Sequence, residues 1–180
     1  MNLIKPLVLN STPLIYLSKV SLAVLFSEIP EQKFTTPAVY HEMVEKGEEK
    51  GAPEAEILKS LFENTIIQIY RLRDRKLAEN LIKVAAKIEE QPLHEAEAEI
   101  LAAAKELNGV VIADDHVVRS VAILFGIELH GTGYLLGKIY SIGKITKKAL
   151  VEKVRDMRSL GWHISAEDYL DIIDYLKALP

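Results

Sequence analysis

The sequence predicts a three-layer α/β/α fold: a central parallel sheet of about four or five strands with helices on both faces. Three observations carry that reading. Leu7-Val8-Leu9 and Val110-Val111-Ile112-Ala113 are apolar at every position, which suits strands buried on both sides. Longer segments between such runs carry apolar residues at helical spacing. The chain has 180 residues, 49% hydrophobic and 27% charged, enough apolar material for one sizeable core. We therefore expect a single domain over 1–180, with 146–180 as its C-terminal helical part.

Each element has its own signal. Leu7–Leu9 reads as the first strand, and Thr12-Pro13 then offers an N-cap and a proline at the first helical position. Thr36-Pro37 repeats the device after a short segment at 34–36, starting a helix with Val39, Tyr40, Met43 and Val44 inward. The stretch 46–53, KGEEKGAP, has the composition of a solvated loop between helices. Residues 66–70 are β-rich, and 75–89 read as a helix. Residues 94–107 read as another, with Ala96, Ile100, Ala103 and Leu107 forming one apolar stripe. Asn108-Gly109 stops it before the strand at 110–113. A helix over 115–125, Gly126 and a short strand at 127–129 follow. Two or three helices complete the chain, the last opening with Ser165 and Asp168 at capping-box spacing.

Composition also excludes. With no cysteine there is no disulfide scaffold, thiolate zinc site or cysteine nucleophile. No apolar run reaches the ~18 residues of a spanning helix and the N-terminus lacks a signal-peptide pattern, so a cytoplasmic protein with no membrane association is expected. No P-loop, G-x-G-x-x-G or G-x-S-x-G is present. His41-Glu42-Met43-Val44-Glu45 starts like the HExxH zinc motif but has Glu where the second His belongs. The net charge of −4 argues in bulk against a nucleic-acid partner. By position it does not. Residues 91–130 hold seven acids against two bases, and the remainder is slightly basic, with clusters at Arg71, Arg73, Arg75, Lys76 and at Lys144, Lys147, Lys148.

In open parallel sheets, functional groups gather beyond the C-terminal ends of the strands. Asn10-Ser11-Thr12 and Asp114-Asp115 stand at two such ends. Adjacent carboxylates there require a metal ion or an arginine to offset their repulsion. Glu95 and Glu99 share a helix face at i, i+4, and Glu42 lies in the first turns of its own helix. Converging, these acids form an all-oxygen cluster suited to Mg²⁺ or Mn²⁺, and two such ions serve phosphodiester cleavage. Plainer roles stand beside these. First-turn glutamates favour the helix dipole, Asp115 is placed to cap the helix at 115–125, Arg119 to pair with Asp115, and the basic runs to form solvated faces.

Four stretches, in order, resemble the PIN domain, the fold of VapC-type toxin ribonucleases: VLNSTPLIYLSKV at 8–20, TPAVYHEMV at 36–44, LHEAEAEILAAAKE at 93–106 and VVIADDHVVRSVAILFGIELHGTGYLL at 110–136. The tail LGWHISAEDYLDIIDYL looks like the C-terminal helices of a prokaryotic branch of that family. The resemblance implies a Mg²⁺- or Mn²⁺-dependent endoribonuclease, a hydrolase of RNA phosphodiesters and in many relatives the toxin of a toxin–antitoxin pair. It implies Glu42, Glu95, Asp114 and Asp115 as catalytic acids that hold the metal together with Asn10. Asn10, Arg119 and Thr132 fall at substrate-contacting positions. It further implies RNA, a small antitoxin protein and a second copy of the chain in a homodimer as partners. Two positions depart from the pattern: Asn10 replaces the usual first Asp, and His94 replaces a glycine before the third acid. An amide oxygen ligates a cation without adding charge. The alternative implied is a catalytically degenerate PIN-fold protein that binds RNA or a protein partner without cutting.

Overall fold

Five short parallel strands form the sheet of the computed structural model, which describes residues 4–180. Residues 1–3, included in the single-domain expectation, lie outside the described residues. The strands are β1 (Leu7–Leu9), β2 (Lys33–Thr35), β3 (Gln68–Ile69), β4 (Val110–Ile112) and β5 (Leu129–His130), in the order β3-β2-β1-β4-β5. β1 and β4 lie side by side at the centre in the register Leu7↔Val110, Val8↔Val111, Leu9↔Ile112, and every residue of both is buried. That burial explains why neither alternates polar with apolar. At the edges the strands shrink. The β-rich run at 66–70 pairs only over Gln68–Ile69, and the last strand lies at Leu129–His130 rather than 127–129.

The helices divide into two groups. On one face α5 (Lys76–Ile88), α6 (Glu95–Leu107) and α7 (His116–Leu124) pack on one another, α6 resting on β1 and β4. On the other, α1 (Ser11–Lys19) packs against α4 (Pro53–Glu63) and α9 (Lys147–Ser159). α8 (Thr132–Ser141) and α10 (Ala166–Ala178) join α9, so three helices complete the chain. One buried apolar cluster runs from Leu7 to Leu176 and includes Trp162.

Local chemistry corrects three readings. The cap of α1 is Asn10, not Thr12: its Oδ1 accepts the Ser11 N–H at 2.8 Å, which moves the helix start two residues earlier. The stretch 46–53 is half helix. α2 (Pro37–Tyr40) continues through a π turn at His41–Glu45 into α3 (Lys46–Glu49), and only then does the chain turn at Gly51, φ +66°. α6 buries a broader face than the stripe suggested, with Ala98 and all of Ile100–Ala104 inside, because it lies between the sheet and three helices, α2, α5 and α7. It ends as expected, with Asn108 left-handed at φ 49°. Gly109 must then be glycine, since a Cβ there would stand 2.9 Å from the Pro6 carbonyl oxygen.

Candidate active site

The strand order reverses direction between β1 and β4. The chain leaves β1 towards β2 and leaves β4 towards β5, so a crevice opens beyond their C-terminal ends. Asn10 follows β1 and Asp114-Asp115 follow β4, both lining that crevice. Asn10 is buried, and its backbone N–H donates to the Ile112 carbonyl at 3.0 Å, which ties the two strand ends together. The crevice wall is completed by Thr12, His41, Glu42 and Lys46 on one side and by His94, Glu95 and Glu97 on the other.

The two aspartates do different work. Asp114 is held from three directions: Oδ1 accepts the Thr132 N–H at 2.7 Å, and Oδ2 accepts the Thr132 hydroxyl at 2.7 Å and the Trp162 Nε1–H at 2.9 Å. Thr132 is fully buried and gives both of its donors to Asp114, so it orients that carboxylate. Gly131 lets the chain pass close beside it, since a Cβ there would lie 3.1 Å from Asp114 Oδ1. Asp115 caps α7 through one oxygen only, Oδ1 accepting from Val117 and Val118 N–H at 2.8 and 3.1 Å. Its Oδ2 remains for a ligand.

The acids of α6 also separate. Glu95 and Glu99 share a face, as their spacing requires, and both are taken by one guanidinium: Arg75 Nη2 donates to Glu95 Oε1 at 2.6 Å and Glu99 Oε1 at 2.9 Å. Glu99 is buried, and Arg75 is what offsets its charge. This also removes Arg75 from the free basic run, while Arg71, Arg73 and Lys76 stay exposed. Glu97, two residues on from Glu95, is the acid turned to the interior of the crevice. One of its oxygens accepts the His94 N–H at 2.9 Å. Its carboxyl sits above the usual range because burial penalises its charge, with Asp115 and Glu42 pushing the same way against the lowering by His94.

Glu97 was not singled out from the sequence. The signal was its place three residues after His94 at the head of a helix, the spacing at which a glutamate returns to its own cap. Trp162 was missed as well. A buried indole needs an acceptor for Nε1–H, but nothing in the sequence says that the acceptor is Asp114. Glu42 is exposed and enters the crevice from the π turn, a helical distortion common at functional sites. Arg119 forms no ion pair among the described residues and faces a neighbouring cavity rather than the acids.

Oxygen donors from Asn10, Glu42, Glu97 and Asp115 suit a hard divalent cation in kind. Among the described residues no three His, Cys, Asp or Glu side chains stand close enough together to hold an ion as they are.

The parallel sheet thus switches direction at β1/β4 with acids lining the crossing. The chain matches the family model DUF3368, a PIN domain, over residues 6–178, and it belongs to that family. The PIN domain is generally a nuclease fold, and its members typically use divalent metals. No curated protein matches the chain. No described helix is long and apolar enough to cross a membrane.

Proposed function

We propose that the protein is a Mg²⁺- or Mn²⁺-dependent endoribonuclease whose working acids are Glu42, Glu97 and Asp115, with Asn10 as a neutral fourth donor. The observation that carries this reading is that Glu42, Glu97 and Asp115 line one crevice at the strand crossing, beside Asn10. When bound there, a divalent ion supplies charge neutralisation at the phosphodiester and eases deprotonation of water. The chain's own groups do the rest. Asp114, fixed by Thr132 and Trp162, holds the β4 end rigid and adds negative field beside Asp115. Glu97, fixed at one oxygen by His94, presents the other, with its carboxyl raised above the usual range by burial, and accepts the proton of the attacking water. Glu42 is long and exposed, so a rotamer change closes the set around an ion.

Single-stranded RNA incubated with Mn²⁺ or Mg²⁺ should be cut, and EDTA should stop the cutting. Cleavage that continues in a Glu97→Gln/Asp115→Asn double variant would remove this mechanism.

A specific observation favours a weaker second reading, a PIN-fold protein that binds without cutting. Asn10 brings no charge, and its Oδ1 is already occupied by Ser11 N–H. Asn10→Asp tests it cleanly, because Asp caps a helix as well as Asn does. Tighter Mn²⁺ binding and new cleavage in that variant, over an inert wild type, support the degenerate reading. An antitoxin partner, a homodimer and a toxin role are supported by the family resemblance.

A further inference from the structure

A second cavity, of about 350 Å³, adjoins the crevice and shares Asp114 with it. A groove past Asp115, His116, His163 and Asp168 shares lining residues with both, so one continuous cleft runs along the C-terminal edge of the sheet. The cavity is walled by Arg119 of α7, by His130 at the end of β5 and Tyr134 in the first turn of α8, and by Asp168, Asp171 and Tyr175 of α10. Its volume is at the small end of ligand pockets, about 300–1,000 Å³, which suits one compact planar group better than a peptide segment.

The aromatic wall is built in advance. The His130 and Tyr134 rings stack with centroids 4.3 Å apart and planes 9° from parallel. His130 is held from behind by Glu128 at 3.3 Å, and the Lys138 ammonium lies 4.8 Å from the Tyr134 centroid while pairing with Glu31. The side chain of His130 is 41% exposed, so its ring is the one with surface to offer. α10 closes the far wall by lying directly on α8: a Cβ at Gly133 would stand 2.9 Å from Ile172 Cγ1, and one at Gly137 would collide with the Tyr175 hydroxyl at 2.2 Å. A rigid ring stack, one guanidinium without an ion-pair partner among the described residues, and two carboxylates across from it make up the lining.

On the nuclease reading above, we propose that this cavity is a base-binding subsite. It takes one unpaired nucleobase of a single-stranded RNA whose backbone continues past Asp115 into the acidic crevice. The base stacks on the His130–Tyr134 pair, a contact every base can make. Arg119 meets the flanking phosphate. Asp168 and Asp171 accept from an exocyclic amino group, as carboxylates do from cytosine N4, which favours cytosine, adenine or guanine over uracil. A base in a duplex is stacked and paired, so the site selects single strands.

The test uses the full chain in EDTA, where nothing is cut, and fluorescence anisotropy of short labelled oligoribonucleotides: oligo(C), oligo(A), oligo(U) and a duplex. Wild type should bind oligo(C) and oligo(A) better than oligo(U), and the duplex worst. An Arg119→Gln/His130→Ala variant should bind the single strands about tenfold less tightly, the scale of one lost stack and one phosphate contact. Asp171→Asn, on an exposed helix position, should level the base preference while thermal melting is unchanged. Equal binding by wild type and the double variant would overturn the subsite, as would displacement of bound oligo(C) by a Lys/Arg-rich peptide only in a protein that ignores base identity, which would make the cavity a seat for a basic protein segment. Cleavage in Mn²⁺ is read separately. Pocket-dependent binding without cleavage supports the subsite and overturns the nuclease reading, whereas cleavage with unchanged variant binding overturns the subsite alone.

Discussion

Two carboxylate groups sit on the first turns of α6 and are treated in opposite ways. Glu95 and Glu99 lie on the face turned to Arg75, whose guanidinium pairs with both. Glu97 lies roughly half a turn away around the helix and turns to the crevice, where its neighbours are Asp115 and Glu42 and its carboxyl is driven upward. The first group is held by one guanidinium, which reaches Glu99 through Oε1 and leaves the buried Oε2 without a hydrogen-bond partner. The second has no cation beside it among the described residues, and on the proposed function that is where a metal ion would act.

The comparison can be broken most directly by function. Glu97→Gln with Asp115→Asn should lower Mn²⁺-dependent RNA cleavage by about a hundredfold or more, while Glu95→Gln should stay within about threefold of wild type. Equal losses in both would mean that the two groups are not distinct. The next effect is on stability. Arg75→Ala leaves Glu99 buried without its cation, and chemical denaturation should show a loss of about 2 kcal/mol, reduced from a fully buried pair because Arg75 is itself exposed. Arg75→Ala combined with Glu99→Leu should recover most of it.

Trp162→Phe removes one of the three donors on Asp114 and should cost about 1–2 kcal/mol in the same measurement. Its effect on cleavage should be smaller than that of Asp115→Asn, since the remaining donors come from Thr132.

The smallest effect is the most diagnostic. The folded state raises the Glu97 carboxyl above its unfolded value, so between the two values the folded protein binds more protons and stability falls as pH rises. Glu97→Gln removes that decline, so the variant should be the more stable at neutral pH and lose the slope in melting temperatures measured across pH. Saturating Mn²⁺ should stabilise wild type and leave the variant's melting temperature unmoved.

The sheet was the most legible part of the sequence. β1 and β4 are buried on both sides and so are apolar throughout, and the glycine, asparagine and proline stops around them are local chemistry. The edge strands were harder, because two-residue ladders such as Gln68–Ile69 carry almost no pattern of their own. Asp114 and Asp115 were found because a strand end is a readable place, yet their division of labour depends on Thr132 and Trp162, 18 and 48 residues distant. Glu95, the acid of α6 that the sequence pointed to, is paired with Arg75, 20 residues before it, a contact that spacing does not reveal. Spacing fixes which acids share a helix face, and only tertiary contact fixes what that face meets.

Trp162 is the only tryptophan in the chain, it is 2% exposed, and its indole N–H ends on Asp114. The protein thus carries a single built-in fluorophore wired to the β4 end. Its emission should be blue-shifted by burial and should respond when a cation or an RNA strand perturbs the carboxylate it touches. Occupancy of the cleft can then be followed optically, without a label, by exciting one side chain.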